Sequence, residues 1–467
     1  MPVDTQKYFF WAKEAQKVGT PFWWAVILIF VVFYIPFLRV WWWIFAPLFL
    51  SMELKTLYIW WINWDFAYAK TKWDILEIIP PKESLVPVKA MEDVFATMWT
   101  SLFDMSNFRE RWCEGTLKEC SSWMSFEIVS IEGKLHFFAR VTKAHRLSLE
   151  TALYSYYPDL EIHEVPDYVK NVPQSVPDEE WDLYSEDFIL RKPAAYPIKT
   201  YEKFFEPQGE RISAEEKRID PINSLLESMS KLGKGEQYWM QIIMSSTIAK
   251  YNPEFRTEAD EIINKITKRQ VKKRKTLMDE IIEIFRMVIL GPEKEGTGED
   301  AKYKWAESVA KTESGEREML LTPGEREVIT EVENKIKKPV FRTALRGLYI
   351  AKRENWEPSH RLLLRTYAGH FNTENLNAFK FDINTRTKVH YLFRQRRVFL
   401  RARRMLRNAI LRFPSYFPDR KLGCSVLGPD ELATLFHLPI KMTGMIMPAM
   451  IKVEAKKSGP PPNLPTE

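Results

Sequence analysis

Arginine and lysine side chains are concentrated in two short stretches of this sequence. One stretch reads FRQRRVFLRARRMLR from Phe393 to Arg407, and the other reads KRQVKKRK from Lys268 to Lys275. Clusters of guanidinium and ammonium groups suit phosphates, whether in nucleic acid or in lipid headgroups. A solvated face that pairs with the protein's own carboxylates is the alternative interpretation. The candidate phosphate-binding residues are Arg394, Arg396, Arg397, Arg401, Arg403, Arg404, Arg407, Lys268, Arg269, Lys272, Lys273, Arg274 and Lys275.

A helix is the element that must position the longer of these two stretches. We expect this helix to run from Thr387 to Leu411. Spacings of four and three residues place Arg397, Arg401 and Arg404 on one face of it. The apolar side of the same helix is supplied by Val398, Leu400, Met405 and Leu406.

Sequence motifs of nucleotide-hydrolysing enzymes and metalloenzymes are absent. There is no GxxxxGK[ST] string, in which glycines admit phosphates to the backbone, and no HExxH, GxSxG or EF-hand loop. The three cysteines, Cys113, Cys120 and Cys424, form no CxxC pair, and no two of the seven histidines lie within five residues. The sequence therefore predicts a protein that is not an enzyme, with no catalytic residues, no cofactor and no metal site.

The N-terminal part of the chain has the composition of a membrane anchor. Residues Pro21 to Leu38 carry no charge, and eighteen residues span roughly 27 Å as a helix, close to the thickness of a bilayer core. Arg39 interrupts this run, and apolar residues continue from Val40 to Leu50. We expect a transmembrane segment over residues 21–50, after an N-terminal segment over residues 1–20. A single tilted span is favoured over a hairpin that reaches Trp61.

Tryptophan supports the same interpretation, because its ring prefers the bilayer interface. Ten of the 17 tryptophans precede residue 75. The basic residues on the two sides of the segment do not fix its orientation. We expect a single-pass protein of the inner (cytoplasmic) membrane, with its soluble region in the cytoplasm. The candidate membrane residues are Trp23, Trp24, Arg39, Trp41, Trp42 and Trp43.

Periodicity and turn signals after the anchor predict a first α+β unit over residues 73–205. Its sheet is expected to be antiparallel, with helices on one face. The predicted elements are a strand at Trp73–Pro81, a helix at Val88–Phe103, a hairpin around Glu132-Gly133, a helix at His145–Tyr156 and a strand at Tyr156–Val165.

A second α+β unit is expected over residues 218–413. Its strand at Tyr238–Ser246 resembles Trp123–Ser130, down to a shared Trp-Met, which indicates an internal duplication or a chance similarity. A charged helical insertion over residues 252–338 stands where the first unit has its turn, with a flexible loop at Glu293–Asp300. The other predicted elements are a helix at Pro221–Leu232 capped by Asp220, a strand at Pro339–Lys352, a helix at Pro358–Gly369 and a strand at Asn377–Asp382.

The expected fold class is thus α+β: an N-terminal transmembrane helix followed by duplicated antiparallel-sheet-plus-helix units with a charged helical insertion. A C-terminal helical piece over residues 414–455 and a Pro-rich tail over residues 456–467 complete the chain.

Several segments resemble a known family. The sequence is similar to the N-terminal membrane-anchor and accessory region of bacterial conjugation and type IV secretion ATPases of the FtsK/HerA-like class, which are coupling-protein-like. The matching segments are LEIIPPKESLVPVKAMEDVFATMW (76–99), SWMSFEIVSIEGKLHFFARV (122–141), YSYYPDLEIHEVPDY (154–168), RKPAAYPIKTYEKF (191–204), RIDPINSLLESMSKLGKGEQYWMQI (218–242), DELATLFHLPIK (430–441) and the closing PPPNLP.

In the long members of that family a RecA-like motor domain follows the Pro-rich segment, whereas this chain stops there. The resemblance implies a membrane-anchored component of a DNA-transfer or type IV secretion-like machine that docks or regulates a separate hexameric motor ATPase. Its partners would be the membrane, a RecA-like motor ATPase supplied by another chain, DNA and further copies of itself. The alternative is a stand-alone membrane protein that binds nucleic acid or anionic lipid through the arginine-rich helix.

Overall fold

The protein is described here from a computed structural model that divides into two compact units. The first unit contains residues 1–72 and 104–121, and the second contains residues 73–103 and 122–467. The structure describes residues 34, 43, 51, 54–55, 58, 61–62, 67–81, 86–104, 107–114, 122–204, 220–247, 253–267, 293–295, 302–304, 321–390, 393–416 and 423–439.

The predicted transmembrane segment, residues 21–50, lies outside the described residues except for Tyr34 and Trp43, which are helical and exposed. None of the helices among the described residues is long and apolar enough to span a bilayer. The first unit also contains helical positions between residues 51 and 62 and a π-helical turn at Glu110–Glu114.

The second unit begins with four strands and two helices that match the predicted elements closely. Glu132 and Gly133 make the predicted hairpin turn, with φ angles of 52° and 82°. Gly133 also admits a close neighbour, because a Cβ there would lie 2.8 Å from the carbonyl oxygen of Ser230. The elements are β1 (Trp73–Ile79), α1 (Val88–Leu102), β2 (Met124–Ile131), β3 (Lys134–Thr142), α2 (Arg146–Tyr156) and β4 (Glu161–Glu164).

Seven strands and six α-helices make up the rest of the second unit in the described residues. Asp220 caps α3 as predicted, since its carboxylate accepts a hydrogen bond from the backbone N–H of Ile222 at 3.0 Å. The elements are β5 (Trp181–Leu190), α3 (Pro221–Ser230), β6 (Glu236–Thr247), α4 (Pro253–Ile266), β7 (Glu293–Glu295), β8 (Lys302–Lys304), α5 (Pro323–Lys337), β9 (Val340–Lys352), α6 (Leu363–Gly369), β10 (Phe379–Phe381), α7 (Arg394–Leu411), β11 (Ser425–Leu427) and α8 (Pro429–Leu435).

One antiparallel sheet joins both halves of the second unit, so the α+β prediction is confirmed. Its strand order is β10-β5-β9-β6-β2-β3-β1-β4, with β11 added beside β9. Within the first half the order is β4-β1-β3-β2, and within the second it is β10-β5-β9-β6. Each half therefore follows the same βαββαβ connectivity, that of the ferredoxin-like motif. The two halves meet where β2 pairs with β6.

The larger core lies on one face of the sheet, under α1, α2, α3, α6 and α8. Phe126 of β2 is fully buried there, with its ring centroid 5.2 Å from that of Phe95 and 4.8 Å from that of Phe436. Burial of a side chain of this size contributes about 1.5–3 kcal/mol to stability.

The opposite face is also covered, so the expectation of helices on one face only is wrong. Ala402, Leu406 and Ala409 of α7 pack there against Trp239 of β6 and Leu348 of β9. The reason is visible in β6, where every position is buried and apolar residues point to both faces. The alternation of apolar and polar residues in the other strands therefore did not predict that α7 covers this second face.

Strand β5 was missed in the sequence because its charges interrupt the apolar pattern. The strand reads WDLYSEDFIL, and it lies between β9 and β10. Glu186 and Asp187 are both 1% exposed, and each meets an arginine from another element: Arg365 at 2.6 Å and Arg346 at 2.8 Å. The paired charges fit a buried strand only because those distant arginines are present.

Some predicted boundaries are also wrong. The predicted helix at Pro358–Gly369 starts only at Leu363, after a 3-10 turn at His360–Leu362. The predicted strand at Tyr156–Val165 is reduced to β4, because α2 continues to Tyr156 and a turn follows it.

The charged insertion is helical at both ends, as predicted. Thr322 and Glu325 form a reciprocal capping box at the start of α5. Phe255 of α4 and Val332 of α5 bury an apolar stripe between the two helices. The expected flexible loop at Glu293–Asp300 is wrong at its start, because residues 293–295 form β7 and pair with β8. Residues 296–300 lie outside the described residues.

A buried histidine joins the C-terminal helix to the start of α3. The ring of His437 has Nε2 2.9 Å from a carboxylate oxygen of Asp220 and Nδ1 2.8 Å from the carbonyl oxygen of Ala433. Both partners accept hydrogen bonds, so the ring must carry both protons. Burial alone would lower the pKa of His437, but Asp220 and the Ala433 carbonyl together raise it above its ordinary value.

We therefore expect His437 to stabilise the fold most at low pH. Because its pKa is higher in the folded state, the stabilisation is complete below the unfolded pKa of about 6.5 and is lost as the pH rises through the folded value. The difference in melting temperature between the wild type and His437→Gln should shrink from about pH 6 to about pH 8. His390→Gln, at an exposed ring, is the control. A pH-independent difference would contradict this linkage.

Candidate phosphate-binding helix

Helix α7 carries every arginine of the longer predicted basic stretch, but it is shorter than predicted. It begins at Arg394 and not at Thr387. The backbone N–H of Thr387 donates to the carbonyl of Ser185 at 3.0 Å, and the Thr387 hydroxyl accepts from the N–H of Ser185 at 3.0 Å. These bonds hold the chain beside β5. Phe393, with φ of 58°, then precedes the first helical residue.

The C-terminal end of α7 is fixed to the sheet through its carbonyl groups, which a helix cannot satisfy internally. Positive side chains are favoured at this end, because the helix dipole is negative there. Three hydrogen bonds come from the sheet: Gln241 Nε2 to Ala409 O at 3.1 Å, Arg140 Nη1 to Leu411 O at 3.4 Å and Arg346 Nη2 to Phe413 O at 3.0 Å. A fourth, from Arg412 Nη1 to Ile410 O at 2.8 Å, is local to the helix end.

Two of these arginines hold equivalent positions in the two halves of the sheet. Arg140 of β3 lies opposite Ser125 of β2, and Arg346 of β9 lies opposite Gln241 of β6. Ser125 and Gln241 each follow a Trp-Met pair in the sequence. The end of α7 is thus held between the halves by one arginine from each.

Arg412 ends α7 in the left-handed conformation, with φ of 53°, and is completely buried. Its guanidinium donates to Glu127 at 3.0 Å and to both carboxylate oxygens of Asp167, at 2.6 and 2.8 Å. Tyr168 donates its hydroxyl to Glu127 at 2.6 Å. Burial alone would raise the pKa of Glu127, but the Arg412 charge and these hydrogen bonds bring it below its ordinary value.

A second buried ion pair lies beside the first. The Arg346 guanidinium, 0% exposed, donates to Asp187 at 2.8 Å, and the hydroxyl of Ser415 donates to the same carboxylate. Sequence reasoning missed both pairs. The available signal was Glu127 inside the apolar strand MSFEIVS, a position where a charge needs a partner.

The half-buried arginines of α7 hold the loop that precedes the helix. Arg401 donates to the carbonyls of Ile383 and Arg386, at 2.9 and 3.0 Å, and Arg404 donates to that of Asn384 at 3.1 Å. Burial, and then the charge of Arg401, lowers the pKa of Arg404. Burial and Arg404 lower the pKa of Arg407 to about 10.

Arg397, Arg401 and Arg404, which were predicted to share one face of the helix, therefore differ in their environments. Arg397 is exposed, whereas Arg401 and Arg404 are half-buried and bound to backbone carbonyls. Of the predicted apolar side, Met405 and Leu406 are buried as expected, but Leu400 is 47% exposed and Val398 is half-buried.

The outer half of α7 stands in solvent. Arg394, Arg396, Arg397 and Arg403 are all exposed. Three apolar side chains lie among them and are also exposed: Phe393 at 74%, Leu400 at 47% and Phe399 at 39%. We call Arg394, Arg396, Arg397 and Arg403 the outer arginines. Because the C-terminal end of α7 is bonded to the sheet, the outer arginines project from a fixed base. A guanidinium can bind a phosphate through paired N–H groups, although one N–H of Arg403 already donates to the Ser175 carbonyl at 3.3 Å.

The remaining predicted site residues fall elsewhere. The basic residues between Lys268 and Lys275 lie outside the described residues, and so do Trp23, Trp24, Arg39, Trp41 and Trp42. Trp43 is 60% exposed. In the part of the chain that the structure describes, no group of three or more His, Cys, Asp or Glu side chains is placed to hold a metal ion.

Comparison with known proteins places most of the chain in one family. No curated protein matches the chain. Residues 65–444 match the family described as a domain of unknown function, DUF8128. This match runs from the residues just before β1 to beyond α8, so it includes the sheet, both buried ion pairs and the outer arginines. The chain belongs to the DUF8128 family.

Proposed function

We propose that this chain is a non-enzymatic, membrane-anchored component of a DNA-transfer or type IV secretion-like machine, whose α+β unit binds DNA phosphates through the outer arginines. In this proposal the unit docks or regulates a hexameric RecA-like motor ATPase at the cytoplasmic face of the inner membrane. The anchor is the apolar segment over residues 21–50.

The observation that carries the proposal is the contrast between the two halves of α7. Toward the C-terminal end of α7, half-buried arginines bond to backbone carbonyl groups. Arg412, which ends the helix, pairs with the carboxylates of Glu127 and Asp167. The outer arginines are exposed to water, and Arg403 also donates to the carbonyl of Ser175 at 3.3 Å. Closely spaced positive charges on a fixed helix bind the phosphate groups of a DNA backbone favourably, because they release its bound counterions.

The sheet topology supports a scaffold role. Two halves with the same strand order form one continuous layer, and we propose that they arose by duplication of one βαββαβ unit. In the second half the connection between β6 and β9 carries α4 and α5, where the first half has a two-residue turn. This insertion gives the scaffold a further surface for the motor partner.

DNA binding should weaken when the outer arginines lose their charge. We expect Arg394→Gln, Arg396→Gln and Arg397→Gln together to reduce the steepness of the plot of log affinity against log salt by about 2–3, since each phosphate contact contributes about 0.9. Fluorescence anisotropy of a labelled DNA duplex, titrated at salt concentrations from about 50 to about 200 mM, measures this slope.

The control removes the same charge elsewhere on the second unit. Lys134, Lys143 and Lys234 are exposed, so their joint replacement by glutamine lowers the net charge equally. This control should leave the salt slope within about 1 of the wild type. Equal slopes for the two triple variants would contradict DNA binding by α7.

The apolar neighbours of the outer arginines favour a second candidate, the binding of anionic lipid by a stand-alone membrane protein. Phe393, Phe399 and Leu400 lie among the arginines, a combination that suits a headgroup layer. Sedimentation with vesicles separates the two candidates. If the triple arginine variant loses the preference of the wild type for phosphatidylglycerol over phosphatidylcholine vesicles but keeps its DNA salt slope, lipid is the ligand.

The motor partner is tested separately. We expect gentle detergent purification of the chain from its own cells to bring down a RecA-like ATPase in stoichiometric amount, identified by mass spectrometry. A preparation without such an ATPase would remove the docking part of the proposal and leave DNA binding to stand on the salt slopes.

A further inference from the structure

The first compact unit exposes a group of large apolar and aromatic side chains. Leu54, Tyr58 and Trp61 are 54%, 41% and 44% exposed, and spacings of four and three place them on one helical face. Phe108 is 77% exposed, and Trp112 is half-buried. We call these five residues the aromatic surface.

Residues from two separate parts of the chain build this surface together. The Tyr58 hydroxyl donates to the carbonyl of Trp112 at 2.7 Å, and the two ring centroids are 6.1 Å apart. Phe108 lies 5.7 Å from the Trp112 ring, and the ammonium of Lys55 lies 5.6 Å from it. Trp112 therefore packs on the helical positions around residue 58, within one unit.

The segment over residues 104–121 is an excursion of the chain out of the second unit, between α1 and β2. Within the second unit, the point where the chain returns to the sheet before β2 lies beside the start of β1. Trp73, the first residue of β1, and Trp123, just before β2, have ring centroids 5.1 Å apart. The residues that precede β1 and the residues 104–121 that precede β2 belong to the same unit, which also contains residues 21–50.

We propose that the aromatic surface lies in the interfacial layer of a phospholipid bilayer and adds a second membrane contact to that of residues 21–50. Tyrosine and tryptophan combine an apolar ring with a polar group, so they are favoured at the headgroup level, where lysine can also reach the lipid phosphates. Phe108 supplies a wholly apolar side chain that water does not favour. The neighbouring Arg109 has a side chain that is 84% exposed and lies 3.9 Å from the carboxylate of Glu114, a loose exposed pair that leaves it able to contact anionic headgroups.

The inference rests on the membrane anchor of the proposed function, and its test separates the two. Cys113 is exposed beside Trp112 and serves as the reporter. The full chain with Cys120→Ser and Cys424→Ser is labelled at Cys113 with an environment-sensitive nitrobenzoxadiazole dye. It is then reconstituted in phosphatidylcholine–phosphatidylglycerol vesicles that contain nitroxide-labelled lipid. At a depth of about 5–10 Å the nitroxides should quench the dye about twofold.

Two variants complete the test. A reporter at Lys234→Cys, on an exposed turn of the second unit and in the same chain with Cys113→Ser, should not be quenched. Phe108→Ser with Trp112→Ser should abolish quenching at Cys113 and leave the chain bound to vesicles in a flotation gradient.

Each outcome has a definite meaning. If the chain floats with the vesicles and the Cys113 reporter is quenched only when Phe108 and Trp112 are present, the aromatic surface is a membrane contact. If the chain floats but the Cys113 reporter behaves like the Lys234 reporter, the inference is wrong and the anchor stands. If the chain does not float, both the anchor and the second contact are wrong.

Discussion

Replacing Arg412 with methionine is expected to lower the free energy of unfolding by about 3–5 kcal/mol. The substitution removes the guanidinium and leaves Glu127, 0% exposed, without its cation. A buried carboxylate without a cation destabilises the folded state, because nothing compensates for its loss of hydration. The same change removes the donor to the Ile410 carbonyl at the end of α7. Urea unfolding of the purified chain, followed by tryptophan fluorescence, measures the difference.

Arg403→Met is the matched control for this substitution. Arg403 lies on the same helix, but it is exposed, and its guanidinium contacts the Phe399 ring at 4.4 Å. Exposed substitutions of this kind usually change stability by less than about 0.5 kcal/mol. Similar losses for Arg412→Met and Arg403→Met would mean that the buried pair does not fix α7.

The second large effect is expected at Lys335 of α5, whose side chain is 1% exposed. Its ammonium lies 2.8 Å from Glu431 of α8, which is 0% exposed and also accepts hydrogen bonds from the backbone N–H groups of Ile198 and Gly428, both at 2.8 Å. Lys335→Met breaks this buried pair, so we expect a loss of about 3–5 kcal/mol at pH 7. The pair joins the charged insertion to the main core, and urea unfolding again measures the loss.

The pH dependence of this loss identifies its cause. Burial raises the pKa of Glu431, and Lys335 opposes that rise. Without Lys335 the pKa rises further, so Glu431 becomes neutral in the folded state at a higher pH. A carboxyl group whose pKa is raised on folding favours the folded state at low pH and loses that contribution as the pH rises. The destabilisation by Lys335→Met should therefore be smaller at about pH 5 than at pH 7.

Lys337→Met, two residues further along the same helix, is the control. The Lys337 side chain is 70% exposed, and its ammonium lies 3.9 Å from Glu333. An exposed pair of this kind contributes at most about 1 kcal/mol. If Lys335→Met is no less stable than Lys337→Met, or if its loss of stability grows at low pH, then Lys335 does not stabilise the buried carboxylate of Glu431.

Local sequence signals predicted the individual elements of the sheet well where one physical effect dominated. The Glu132-Gly133 turn required positive φ and fixed the β2–β3 hairpin, and the Asp220 cap fixed the start of α3. Strand β5 could not be predicted in this way, because its buried charges depend on Arg346 and Arg365, more than a hundred and fifty residues away. Pairing at such a distance leaves no local pattern.

The candidate site was predicted only in part, because local spacing again does not reveal contacts with distant residues. Helical spacing indicated a basic helix, and the outer arginines stand on it as expected. Spacing could not separate Arg397, which faces water, from Arg401 and Arg404, which bond to the carbonyls of the preceding loop. The anchoring of α7 depends on Arg140 and Arg346, one from each half of the sheet. The shared Trp-Met pair hinted at two similar halves, but only the strand order shows which arginines correspond.

The unequal connections in the two halves also have a consequence for the order of folding. Two residues join β2 to β3, whereas residues 248–339 join the corresponding strands β6 and β9, which share twelve paired positions. The entropy lost on closing a loop rises with its length, by about 0.6 kcal/mol for each doubling, so the longer connection costs about 3 kcal/mol more. Contacts across long loops also form slowly. We therefore expect the first half of the sheet to form early and to act as the template on which β6, and then β9, assembles.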